Sequence, residues 1–94
     1  MHAMIYHITE KHNKNSIITN GLIRNKHAFI CLCESVDSWL GMFNKPCIFQ
    51  VDIDSFMQDN PDVTVTTWQP QSDEICVWSD VPKEYIKDVN TRTI

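Results

Sequence analysis

No stretch of this chain is long and apolar enough to span a bilayer. The opening Met1-His2-Ala3-Met4 has neither a basic region nor an apolar signal stretch, so a cytosolic (cytoplasmic) protein with no membrane partner is expected. Clustered basic charge is also missing. Eight Lys and Arg stand scattered against 12 Asp and Glu, for a net charge of −4. Gripping a nucleic-acid backbone takes grouped cations, so nucleic acid is not the expected partner, and a small ligand or a basic protein surface suits the balance better. Four cysteines are present without a C-x-x-C knuckle or a paired H-x-H spacing. Cys31 and Cys33 could meet Cys47 or Cys76 across neighbouring strands, with His7, His12 or His27 adding to a zinc shell. Reduced, metal-free cysteine in a cytosolic core is the preferred reading.

What is present fits one domain, residues 1–94, with room for a single core and only a shallow or open ligand site. Short strands alternate with short helices. Ile5-Tyr6-His7-Ile8-Thr9 reads as a strand, with Ile5, His7 and Thr9 on one side and the greasier Met4, Tyr6 and Ile8 on the other. A helix over about 13–20 follows from the Asn20-Gly21 stop signal. Phe29-Ile30-Cys31-Leu32-Cys33 is a continuous apolar run, as in a central strand buried on both faces. Ser35 is expected to cap a second helix whose apolar positions are Val36, Trp39, Leu40 and Phe43. The alternation from Cys47 to Ile53 predicts a strand, with Asp54 or Ser55 capping a helical turn after it and Asn60-Pro61 ending that turn. Val63 to Trp68 and Glu74 to Trp78 read as two further strands joined by a short hairpin through 69–73. Pro82 opens a last short helix, and 90–94 are expected to fray.

Two residues break this pattern. His7 puts an imidazole where a buried strand should be apolar, which fits a cleft residue as well as a hydrogen-bonded core histidine. Glu74 opens a strand beside apolar neighbours. A carboxylate fixed there could stabilise a developing positive charge at lower dielectric than water, or it could simply be a solvated strand end. Trp39 fits either core packing or ligand stacking.

The segments Tyr6-His7-Ile8-Thr9, Ser16-Ile17-Ile18 with Gly21-Leu22, Glu34-Ser35, Phe49-Gln50-Val51-Asp52, Asp73-Glu74-Ile75 and Val81-Pro82-Lys83-Glu84-Tyr85-Ile86, in this order, resemble the small ADP-ribosyltransferase-like proteins of bacteria and phages, akin to DarT-type toxins and RNA 2′-phosphotransferases. The resemblance runs across nearly the whole chain. It implies an α+β fold: a compact mixed, mainly antiparallel β-sheet split around a nucleotide cleft, with two or three short helices. It also implies NAD as substrate, without a metal, and transfer of ADP-ribose to a macromolecular target, with a protein target expected. In that superfamily the first-strand histidine bonds a ribose hydroxyl of NAD and the segment after it approaches the nicotinamide carboxamide; His7, Ile8 and Thr9 match. A late-strand glutamate is catalytic, and Glu74 matches it. Ser35 is the nearest match to the middle motif, which lacks its usual aromatic; Trp39 or Trp78 would take over the stacking. His7 and Glu74 are then expected to border one concave surface. The alternative implied is an ART-like binding protein without turnover, encoded by a phage or mobile element, that blocks a host protein or sequesters a nucleotide.

Overall fold

Among the described residues six antiparallel strands in the order β4-β5-β2-β1-β3-β6 make the sheet: β1 Ile5–Glu10, β2 Ile30–Cys33, β3 Pro46–Val51, β4 Val65–Thr67, β5 Glu74–Val77 and β6 Ile86–Asp88. Among the described residues three short α-helices accompany them: α1 Lys14–Asn20, α2 Asp37–Leu40 and α3 Ile53–Asp59. The fold class is therefore α+β. This computed structural model describes residues 5–25, 28–67 and 74–89. The expectations for Met4, His27, Trp68, the 69–73 connection and the 90–94 tail lie outside them. Among the described strands every pairing is antiparallel, so the expected mixed character of the sheet is not found. Among the described residues no helix is long and apolar enough to cross a membrane.

β1 pairs along its whole length with β3, from Ile5 opposite Val51 to Glu10 opposite Pro46. β2 pairs along its whole length with β5. Between these two blocks, β1 and β2 share a single register pair, Tyr6 opposite Cys33. The sheet is thus loosely joined at its centre, between the strands that carry His7 and Cys31.

Register assigns the faces, because residues directly opposed on antiparallel strands project to the same side. Ile5, His7 and Thr9 share a side with Val51, Phe49 and Cys47. That side carries the main core, where Ile17 of α1 and Phe56 of α3 close over Phe49, Leu32 and Val77. The greasier side of β1 was expected to be that of Tyr6 and Ile8. Ile8 is indeed buried, but the larger core forms under His7, since β3 contributes its fully buried Phe49 there.

Several boundaries move for local reasons. β3 ends at Val51, and Asp52 caps α3, its carboxylate accepting from the Ser55 amide at 3.2 Å and the Ser55 hydroxyl at 2.9 Å. Neither Asp54 nor Ser55 is the cap, and Ile53 is buried from the helix rather than from a strand. Helix α2 is one turn long, capped by Val36 with no side-chain bond, so Ser35 is not the cap. It tightens at once into i to i+3 bonds, Met42 N–H to Trp39 O and Phe43 N–H to Leu40 O, across the poor helix former Gly41. After Pro82 comes one 3-10 turn, Lys83–Tyr85, and then the unforeseen edge strand β6.

Candidate functional site

Two clefts meet at Cys31, one on each side of β2. The first is a groove of about 390 Å³ lined by His7, Thr9, Asn13, Ser16, Phe29 and Cys31 among others. Its polar groups come from β1 and from the 3-10 turn Lys11–Asn13 that leads into α1. His7 Nδ1–H donates to the Cys31 carbonyl oxygen at 2.9 Å. Burial holds the His7 pKa below its ordinary value, only partly offset by that hydrogen bond. The imidazole is therefore neutral at pH 7, and with Nδ1 committed as donor its Nε2 is an acceptor. Asn13 Nδ2 donates to Thr9 Oγ1 at 2.8 Å, which leaves the threonine hydroxyl hydrogen as a donor.

One wall of the groove depends on a glycine. Gly21 has φ of 79°, and a Cβ there would run into the Val81 carbonyl oxygen and come within 2.8 Å of Lys83 N. That closeness lets Leu22 exchange backbone hydrogen bonds with Val81, at 2.9 and 2.8 Å.

The second cleft is smaller, about 130 Å³, and mostly apolar: Ile8, Cys33, Trp39, Met42 and Phe43 surround it with Glu74 at hand. Glu74 is the first residue of β5 and stands opposite Cys33. Its Oε2 accepts a hydrogen bond from the Cys31 thiol. Burial first, and then the hydrogen bond to Glu74 and its charge, push the Cys31 thiol up to about 12, so it is protonated at neutral pH. Cys76, opposite Cys31, is raised as well, by burial and by the Glu74 charge.

His7 and Thr9 thus open into the larger groove, whereas Ile8, Trp39 and Glu74 line the smaller cleft. Ser35 is half-buried between β2 and α2 and lines neither. The expectation that His7 and Glu74 border one concave surface is corrected: the register puts them on opposite sides of the sheet, with Cys31 between. Both are nevertheless bonded to that one residue, His7 to its carbonyl and Glu74 to its thiol. Trp78 is half-exposed, tilted against Phe29 with ring centroids 5.0 Å apart, and bonds Thr66 through its indole N–H.

Asn13 and Cys31 were missed as site residues. Asn13 sits four residues after Thr9 on a tight turn, a spacing that could have flagged the pair; it holds the N-cap position of α1 without a side-chain cap bond, its side chain reaching back to Thr9 instead. Nothing local marks Cys31, whose position depends on strand pairing. Among the described residues no three His, Cys, Asp or Glu side chains are grouped to hold a metal ion, and all four cysteines are free thiols. In comparisons with known proteins, no family model matches the chain and no curated protein matches it.

Proposed function

We propose that this chain is an ADP-ribosyltransferase-like protein that takes NAD as substrate in the His7 groove and transfers ADP-ribose to a protein target. The observation that carries the reading is the neutral His7, whose Nδ1–H is held by the Cys31 carbonyl while Nε2 remains an acceptor beside Thr9 and Asn13. Such an acceptor suits a ribose hydroxyl. A groove of about 390 Å³ lies near the lower end of the roughly 300–1,000 Å³ usual for small-molecule sites, so it takes a nucleoside-sized part of NAD. Among the described residues no Lys or Arg lines it. In the reaction the bond from ribose C1′ to the nicotinamide nitrogen breaks, nicotinamide leaves with the electron pair, and a target nucleophile attacks C1′. Glu74 is assigned the stabilisation of the positive charge at C1′. For that role its carboxylate has to leave the Cys31 thiol and reach the groove from the opposite side of the sheet.

The separation of His7 from Glu74 favours a second reading, a binding protein of the same fold without turnover, of phage or mobile-element origin, that inhibits a host protein or sequesters a nucleotide. Incubation with NAD and candidate targets, followed by intact-mass measurement, separates the two. Wild type forms an ADP-ribose adduct, and Glu74→Gln lowers its rate by about two to three orders of magnitude with NAD affinity little changed. Equal adduct formation by both removes Glu74 from catalysis. A stable stoichiometric complex without adduct establishes the inhibitor reading.

A further inference from the structure

Cys31 and Cys76 stand directly opposite each other on β2 and β5. Directly opposed residues of an antiparallel pair keep their Cα atoms about 4.5–5.5 Å apart, inside the roughly 4.4–6.8 Å that a disulfide spans. The other two thiols are worse placed. Cys33 lies about 7 Å along the strand from Cys31 and is opposed by Glu74, not by a cysteine. Cys47 projects from β3 into the core on the other side of the sheet. Cys31 is half-buried and lines both clefts, whereas Cys76 is only 1% exposed. A reagent therefore meets Cys31 first and finds Cys76 behind it.

We propose that Cys31 and Cys76 form a redox-closable dithiol, a modification site for oxidants of the disulfide class, whose closure removes from Glu74 the hydrogen bond of the Cys31 thiol. With a small disulfide as oxidant, the Cys31 sulfur, having lost its proton, attacks one sulfur of the reagent and expels the other as a thiolate. The Cys76 sulfur, likewise deprotonated, attacks the mixed disulfide at Cys31 and expels the second thiolate. The protein gives up two protons and two electrons, and the reagent leaves as two thiols. Glu74 restrains the first step, because its hydrogen bond and its charge keep the Cys31 proton in place.

The test exposes the full chain to oxidised glutathione at one pH, quenches with an alkylating reagent and reads intact mass and peptide maps. Wild type is expected to lose the mass of two hydrogens, with Cys31 joined to Cys76. Cys76→Ala is expected to stop at a single glutathione adduct on Cys31. Glu74→Gln, with its charge gone, is expected to close about tenfold faster. A Cys31–Cys33 bond, a two-hydrogen loss that persists in Cys76→Ala, or a folded wild type that stays reduced while the unfolded chain oxidises would each overturn the dithiol. Closure of Glu74→Gln at the wild-type rate would overturn the coupling to Glu74. None of these readouts uses ADP-ribose transfer, so failure of the dithiol and failure of the transferase reading are separately visible.

Discussion

The two clefts beside Cys31 differ in what holds them together. The larger groove lies on the side of the sheet that carries the main core, walled by α1, and its polar groups are braced by specific hydrogen bonds. The smaller cleft rests on the other side, under the single turn of α2, and its walls are mostly apolar. A groove backed by a packed core can hold an imidazole and an amide in fixed orientation. The difference teaches that the two sides of one sheet can be backed unequally, a packed core behind His7 on β1 and a single helical turn over Glu74 on β5.

The comparison breaks hardest at Phe49. It is fully buried opposite His7, and Phe49→Ala should cost about 3–5 kcal/mol, whereas Ile48→Ala, on the half-buried other side, should cost about 1 kcal/mol. Urea unfolding midpoints measure both, and similar losses would show that the two sides are packed alike. Gly21→Ala comes next. The strained backbone and the close approach to Val81 and Lys83 should make it cost about 2–3 kcal/mol. If the fold survives, ligand affinity in the groove should drop while alkylation of Cys31 from the smaller cleft is little changed.

The smallest effect is a pH dependence of the larger groove. Burial holds the His7 pKa below its ordinary 6.5, so just below pH 6.5 the unfolded chain takes up a proton that the folded chain refuses. The contribution of His7 is intact above that pH, falls as the pH drops toward the folded pKa, and levels off beneath it. His7→Gln should flatten this part of a stability-against-pH curve, and an unchanged curve would place the proton uptake elsewhere.

Much of the architecture was legible where local chemistry suffices. The stop at Asn20-Gly21 marks the end of α1, because a glycine can take the positive φ that other residues avoid. The apolar run ending at Cys33 marks β2, and the β-rich stretch after Glu74 marks β5. Asp52 was misread because it fits an exposed strand position and a helix cap equally well, and only the chain's turn after Val51 decides between them. β6 escaped because three residues at an edge carry too little periodicity to stand out, and its place is set by pairing with β3.

The residue types at the site belong to the sequence alone: a histidine and a threonine two apart on a strand, a glutamate at the mouth of another, and cysteines at 31 and 76. Period-two alternation already says that His7 and Ile8 face opposite ways. It says nothing about which of them shares a side with Glu74, since that relation runs through β2 and both of its neighbours, and a slip of one residue in any pairing would reverse it. Tertiary packing made that choice. With Phe49 buried opposite His7 and Val77 buried opposite Ile30, the core drew one set of side chains inward, and the alternation then turned Cys31, Cys76 and Glu74 to the other side together.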